Sequence, residues 1–165
     1  MKEILTAERL HELLDYDAET GEFTRKTQTH HRWKAGSKSG TQHASGVWQV
    51  LVDRKVYKGH RLAWLYYYGV WPDHEVDHIN GDNTDNRILN LRDVTREVNN
   101  QNQRRGHSGS SSKLLGVSWA TAKQKWLSSI VVKKKFIHLG YFKSESRAHQ
   151  VYLEAKRKLH EGCTI

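Results

Sequence analysis

The sequence predicts an α+β protein built from two halves. Runs with strand-like alternation and runs with helical spacing are interspersed along the chain, which is typical of this class. One basic, Gly/Ser-rich segment over residues 103–113 has no apolar anchors and is typical of a linker. We therefore expect a first half over 1–105, a linker over 106–113 and a second half over 114–165.

Local signals define the elements of the first half. Thr6 is a favourable N-cap, Asp53-Arg54 suits a hairpin turn, and Gly69 can end a helix. His60 and Arg61 lie at the predicted junction between a strand and a helix. They could contact a phosphate or have a structural role. The predicted elements are a helix at 6–14, a turn at 17–21, a strand at 22–25, a polar loop at 28–46, strands at 47–52 and 55–60, and a helix at 61–69.

The second half should be a three-stranded antiparallel sheet packed on one helix. Strand-like runs lie at 115–119, 125–132 and 136–142, separated by short polar turns. Ser144 is a favourable N-cap for the helix, and Gly162 lies just past its end. The apolar stripe of this helix is formed by Ala148, Val151, Tyr152, Ala155 and Leu159.

The positive charge is concentrated in the second half. Residues 1–99 hold 14 Lys and Arg against 15 Asp and Glu, whereas residues 100–165 hold 13 against 3. A near-neutral half followed by a strongly basic one indicates that the second half binds a polyanion. A basic surface that is merely solvated is the alternative.

Cysteine content and hydropathy also indicate the cellular compartment. The single cysteine, Cys163, excludes an intrachain disulfide and a four-cysteine zinc site. No run approaches the ~20 apolar residues of a membrane span, and the first residues lack a signal-peptide core. We therefore expect a soluble, cytoplasmic protein that has no contact with membranes.

Residues 74–78 fit the zinc-protease pattern H-E-x-x-H. That chemistry needs both histidines on one face of a long helix. Here Pro72 precedes the pattern, Val76 and Ile79 are β-branched, and Asn80-Gly81 follows. The helical context is not expected, so we set this interpretation aside.

A different site is predicted from Asp77, His78 and Asn99. Hydrolysis of a phosphodiester needs an activated water and neutralisation of charge at the phosphate. His78 can act as the general base, because histidine is the side chain whose ordinary pKa lies closest to neutrality. Asp77 offers an anionic oxygen and Asn99 a neutral one to Mg²⁺ or Mn²⁺. Neighbouring residues of a strand point to opposite faces, so Asp77 and His78 can share a site only where the strand bends or ends.

Two other interpretations of this region are open. The Asp/Asn-rich stretch between the motif residues is most simply a solvated loop; it holds Asp82, Asn83, Asp85 and Asn86. It does not make an EF-hand, which needs Gly where Arg87 stands. A purely structural cation is the other alternative, although such sites tend to be closed and fully ligated.

The order His78, Asn90, Asn99 resembles the HNH nuclease motif, in which two strands and a helix hold one metal ion. The flanks Val-Asp-His-Ile at 76–79 and Asn-Leu-Arg at 90–92 strengthen the likeness. The resemblance implies a ββα-metal nuclease half in which Asn90 is structural and ties the loop between the strands. Asn99 stands where some HNH enzymes have a third histidine, as is usual for the phage homing type.

The whole chain resembles phage and prophage HNH endonucleases that carry an AP2-type DNA-binding domain. This likeness rests on HRLAWLYYYG at 60–69 and on LGVSW and HLGYF at 115–119 and 138–142. It implies a freestanding, homing-type DNA endonuclease that uses Mg²⁺ or Mn²⁺ and acts on double-stranded DNA. It also implies a monomer that works in the cytoplasm of a bacterial host if it is phage-encoded.

The AP2-like half departs from plant AP2 domains, where arginines contact bases. Ser118, Ala120, Val131 and Phe136 stand at the matching positions, so phosphate contacts should dominate. Trp119 and His138 are the candidates for the groove. The basic candidates for DNA contact are Lys123, Lys125, Lys133, Lys134, Lys135, Arg104 and Arg105.

Two rival functions remain open. A DNA-binding regulator with an inactive nuclease half is the first, and the intact set of Asp77, His78 and Asn99 argues against it. An RNA-binding protein is the second, but no motif typical of RNA-binding modules occurs in the sequence.

Overall fold

A computed structural model of the chain describes residues 5–28, 33–104 and 109–165. The predicted α+β class is confirmed, because several small antiparallel sheets and four helices occur in the described residues. The chain forms two compact units, Met1–Arg96 and Glu97–Ile165. None of the helices in the described ranges is long and apolar enough to cross a membrane.

Three antiparallel sheets and two helices occur in the described part of the N-terminal unit. Its elements are α1 (Ala7–Leu13), β1 (Leu14–Tyr16), β2 (Phe23–Arg25), β3 (Thr41–Gln42), β4 (Trp48–Val52), β5 (Lys55–Lys58), α2 (Gly59–Tyr68), β6 (Glu75–His78) and β7 (Leu91–Val94). Strand β1 pairs with β2, β6 pairs with β7, and β4 lies between β3 and β5. A 3₁₀ turn at Ile88–Asn90 leads into β7.

The local signals of the first half act as predicted. The Thr6 hydroxyl accepts a hydrogen bond from the Arg9 backbone amide and caps α1. Asp53 and Arg54 both have positive φ, 44° and 63°, as a two-residue turn with φ > 0 at both positions requires between β4 and β5. Gly69 ends α2 in the left-handed conformation.

Helix α2 is the centre of the N-terminal core. Its buried Leu62 and Leu65 belong to one cluster with Leu10, Phe23 and Val50, none of which is appreciably exposed. The helix begins at Gly59, two positions before the predicted start, so that His60 lies inside it. Burial of such a cluster provides the main stabilisation of this small unit.

The C-terminal unit contains the sheet and the helix that the sequence predicted. Its elements are α3 (Arg96–Gln101), which begins in the last residue of the N-terminal unit, β8 (Val117–Ala120), β9 (Lys125–Val132), β10 (Lys135–Phe142) and α4 (Glu145–Leu159). The sheet order is β10-β9-β8, all antiparallel, and α4 packs on all three strands. Gly116 has a φ of 74° and lies against the Tyr152 ring. Strand β8 therefore starts at the next residue, Val117, two positions after the predicted start.

Residues after α3 are bound to the C-terminal end of the chain. The Gln101 side-chain oxygen accepts a hydrogen bond from the Gly162 amide (2.9 Å), and Thr164 donates to the Asn102 side chain (2.5 Å). The buried Lys156 ammonium donates to the Gln103 carbonyl (2.5 Å). Residues 97–104 therefore pack in the C-terminal unit, ahead of the predicted linker at 106–113. The division into a nuclease half, a linker and a DNA-binding half at the predicted residue ranges stays a prediction.

Candidate functional site

The predicted site residues Asp77 and His78 lie at the end of a β-hairpin. Strand β6 pairs with β7 so that Asp77 is opposite Arg92 and His78 is opposite Leu91. Because Glu75–His78 is a strand, the helical context that the zinc-protease pattern needs is not present at these residues. His78 is the last residue of β6, which is where a strand can bring two successive side chains to one site.

Asn90 joins the two ends of the loop between β6 and β7. Its side-chain oxygen accepts a hydrogen bond from the Asn80 amide (2.9 Å), and its side-chain nitrogen donates to the Asp85 carbonyl (2.8 Å). The Asn90 carbonyl also accepts from the Ile79 amide. These are the contacts that a scaffolding residue in this motif position needs.

His78 is buried, with 5% of its surface exposed. Its Nε2 lies 3.1 Å from Oδ1 of Asn86. An amide oxygen can only accept, so in this arrangement Nε2 carries the hydrogen and Nδ1 keeps its lone pair. This arrangement fits the tautomer in which Nδ1 is the proton-accepting nitrogen of the ring.

Asn86 is a site residue that sequence reasoning missed. The stretch around it was expected to be a solvated loop, but Asn86 is only 3% exposed. The Tyr16 hydroxyl donates to its carbonyl (2.7 Å), and a side chain at Gly21 would lie 2.6 Å from its backbone. The β1–β2 hairpin thus holds Asn86 against His78. No local pattern in an Asp/Asn-rich stretch distinguishes this residue from its neighbours.

The rest of this loop is ordered by its own side chains. Asp85 accepts hydrogen bonds from the Arg87 guanidinium and from the Asn80 side chain. The bond to Arg87 lowers the pKa of Asp85 to about 2. Asp82 accepts from the amide and the hydroxyl of Thr84. These bonds shape the turn that carries Asn86.

Asp77 is buried and paired with an arginine. Its Oδ2 accepts hydrogen bonds from Nε and Nη2 of Arg92, at 3.0 and 2.8 Å, and 7% of Asp77 is exposed. A carboxylate has two oxygens and about four lone-pair sites, so it can serve a guanidinium and a cation together. The carboxylate oxygens of Asp77 are therefore suitable ligands for a hard divalent cation. Across the described ranges, no group of three or more His, Cys, Asp or Glu side chains forms a cation site.

Asn99, the third motif residue, lies on α3, about one turn after its start. Its carbonyl accepts a hydrogen bond from the Asn102 amide, and its side chain is partly buried. The hairpin brings Asp77, His78 and Asn90 together in the N-terminal unit, whereas Asn99 belongs to the C-terminal unit.

A second histidine packs against His78. The ring centroids of His60 and His78 are 5.0 Å apart and the ring planes are inclined by 83°. His60 is 8% exposed, which does not favour the phosphate contact considered from the sequence. Burial, followed by repulsion from His78, lowers the pKa of His60 to about 3.

The lowered pKa of His60 predicts an acid-sensitive fold. Between the ordinary value of 6.5 and the folded value of about 3, the unfolded chain binds more protons at this residue than the folded chain. The free energy of unfolding should therefore decrease as the pH falls below about 6.5, by at most ~1.4 kcal/mol per pH unit. Urea unfolding across this range should show a flatter dependence in His60→Leu. An equally steep dependence in the variant would contradict the assignment.

The register of the C-terminal sheet separates the two candidates for the DNA groove. Trp119 pairs with Trp126, and their rings lie 5.1 Å apart. Trp126 shares its face with the buried Ile130, on the side covered by α4, because strand residues two apart point the same way. His138 pairs with Ser129 and therefore lies on the opposite face. The structure thus does not bring Trp119 and His138 together.

The lysines predicted to contact DNA lie at the two turns of the sheet. Lys123 and Lys125 are near the turn between β8 and β9. Lys133 and Lys134 form the turn between β9 and β10, and Lys135 is the first residue of β10. All five side chains are exposed. Arg104 is exposed and donates to the Thr164 hydroxyl (2.8 Å), whereas Arg105 lies outside the described residues.

Comparison with known protein families found a match, and it covers this site. Residues 57–101 match a family model described as HNH endonuclease. The matched segment contains Asp77, His78, Asn90 and Asn99, and it supports an HNH nuclease that acts on DNA. No curated protein and no solved structure matched the chain.

Proposed function

We propose that the protein is a metal-dependent DNA endonuclease, freestanding and of the phage homing type, with an AP2-like DNA-binding half. The observation that carries the proposal is the state of His78. It is a buried histidine at the end of the hairpin, and Asn86 holds its Nε2. The segment around it matches the HNH endonuclease family.

His78 is the general base in this proposal. Nδ1 accepts a proton from the water that attacks phosphorus, and the Asn86 oxygen stabilises the hydrogen on Nε2 as the ring becomes positively charged. Asn90 keeps the loop closed, so that Asn86 stays beside the ring. A hydrogen bond to the rear nitrogen of a catalytic histidine sets its tautomer.

Asp77 and Asn99 are the proposed ligands of the divalent cation. When bound, Mg²⁺ or Mn²⁺ supplies positive charge at the phosphate and at the leaving oxygen. Asp77 contributes the anionic oxygen, and Arg92 holds its carboxylate in one orientation. Asn99 contributes a neutral amide oxygen, as the spacing of the motif implies.

In this proposal, the second half provides most of the binding to DNA. Five exposed lysines at or beside the two turns of the sheet carry part of its charge excess, where phosphates can be reached without reading bases. His138 and Tyr141, with ring centroids 4.7 Å apart, lie beside Phe136 on the sheet face away from α4. Double-stranded DNA is the polyanion that an endonuclease needs to hold.

The test of the proposed function is incubation with supercoiled plasmid and Mg²⁺, with EDTA as the control. We expect nicked or linear plasmid only when the cation is present and His78 is intact. If the protein shifts the plasmid on a gel but never cuts it under any divalent cation, the protein is instead a DNA-binding regulator.

Replacing Lys133, Lys134 and Lys135 with alanine should weaken DNA binding about evenly across sequences. Each lost phosphate contact should reduce the salt slope of log K by ~0.9 without moving the cut site. Binding titrations over a range of salt concentrations measure this slope. Lys55→Ala, in the near-neutral half, is the matched control. An unchanged slope in the triple variant would show that other residues make the phosphate contacts.

A further inference from the structure

The orientation of the His78 ring needs more than its hydrogen bond to Asn86. That bond sets where Nε2 lies and which tautomer forms. A single bond at one edge of the ring does not by itself fix the plane of the ring. A general base must point its lone pair at the reacting water, so the plane of the ring matters as much as its position.

The neighbouring His60 ring is placed to set that plane. The two rings meet nearly at right angles, with their centroids 5.0 Å apart. Edge-to-face contacts between rings have a preferred geometry, so each ring restrains the tilt of the other. His60 is the second residue of α2, two positions before the fully buried Leu62. It therefore sits on the most firmly packed helix of the N-terminal unit.

Stability alone does not account for a histidine at position 60. Its Nδ1 is buried and has no hydrogen-bond partner in the structure. A buried polar atom without a partner is destabilising, and an apolar side chain of similar size would avoid that loss. Burial also keeps the ring neutral, because it lowers the pKa of His60 to about 3. A neutral ring can pack against His78 without repelling the positive charge that forms there.

We propose that His60 is a positioning residue for the nuclease reaction: its ring fixes the plane of the His78 imidazole and so aims Nδ1 at the attacking water. This inference rests on the proposed function, because it assigns His60 to the same base. His60 does not touch DNA or the cation in this role. It acts only through His78.

Two substitutions in the full-length protein test the role. His60→Leu removes the ring and the unpaired nitrogen, and His60→Phe keeps a flat ring at the same place. His11→Leu is the matched control, since the His11 ring also packs on an aromatic side chain, Tyr66, but does not contact His78. The measurements are the single-turnover cleavage rate at saturating plasmid with Mg²⁺, the DNA affinity, the melting temperature and the NMR signals of the His78 ring.

We expect His60→Leu to lower the cleavage rate on the order of 10²-fold, as small misplacements of a catalytic group do. DNA affinity should match the wild type, the melting temperature should be at least as high as that of the wild type, and the His78 ring signals should broaden as the ring samples several planes. His60→Phe should recover part of the lost rate. His11→Leu should leave both the rate and the His78 signals unchanged.

Cleavage by His60→Leu at the wild-type rate would overturn the proposal. So would a rate loss that only mirrors the loss of folded protein, or unfolding of both His60 variants, because His60 would then serve the fold. The two proposals fail differently. If His78→Ala still cuts, the proposed base is wrong; if His78→Ala is inactive while His60→Leu is fully active, only the role of His60 is lost.

Discussion

His78→Ala should abolish plasmid cleavage while DNA affinity stays close to that of the wild type. A general base contributes roughly 10²–10⁴-fold to the chemical step, and no other buried histidine bonds to Asn86 among the residues that the structure describes. The exposed lysines that should hold DNA lie in the other unit and are untouched by this change. Rapid-mixing cleavage assays at saturating plasmid and a gel-shift titration measure the two quantities separately.

The alanine variant should also lose stability, because His78 is buried and its removal leaves the Asn86 oxygen without this partner. A buried acceptor without a donor costs about 1–3 kcal/mol. His78→Gln is the matched control, since a glutamine amide is long enough to donate to Asn86 but is not a base. We expect both variants to be inactive and only the alanine variant to be clearly destabilised. Near wild-type cleavage by either variant would remove His78 from the mechanism.

Asp77→Asn should remove both cation binding and cleavage. The substitution keeps the shape of the side chain and an oxygen that can accept from Arg92, but it removes the negative charge. Even the supporting residues of metal sites are worth roughly 10–100-fold, so loss of the anionic ligand should lower the cleavage rate by ~10²-fold or more. Calorimetric titration of Mg²⁺ with DNA present measures the affinity for the cation directly.

Asn99→Ala provides the comparison for this prediction. A neutral amide contributes less charge to a cation than a carboxylate does, so its loss should be milder. Unchanged Mg²⁺ affinity in Asp77→Asn would show that Asp77 is not a ligand. Asp77 would then be a structural partner of Arg92, and the variant should unfold at a lower urea concentration while still cutting DNA.

The fold was predictable wherever short-range chemistry decides the conformation. Thr6 and Ser144 cap helices because their hydroxyls accept from backbone amides three residues on. The Asp53-Arg54 turn and the strand at 125–132 formed as predicted, because turn residues and alternation act over a few positions. The packing of residues 97–104 on the C-terminal end was not predictable, since its partners lie about sixty positions away in sequence.

The sequence also could not predict which face of the C-terminal sheet carries each side chain. Both Trp119 and His138 looked suited to the DNA groove when strand boundaries alone were considered. Their faces depend on the register of β8 and β10 against β9, which includes an irregularity between His138 and Gly140. A shift of one residue moves a side chain to the other face, so local patterns leave this choice open.

The sequence by itself determined the residues on which the proposed chemistry depends: a histidine beside an aspartate, two asparagines at the motif spacing, and a basic second half. Only the tertiary structure decided how the His78 side chain is held. Asn86 and His60 come from a polar loop and from the start of a helix, and neither residue stands out in its own segment. They reach His78 because Tyr16 and Gly21 hold the loop in place and the buried face of α2 anchors the helix. Such contacts depend on packing between distant segments, which residue spacing along the chain does not encode.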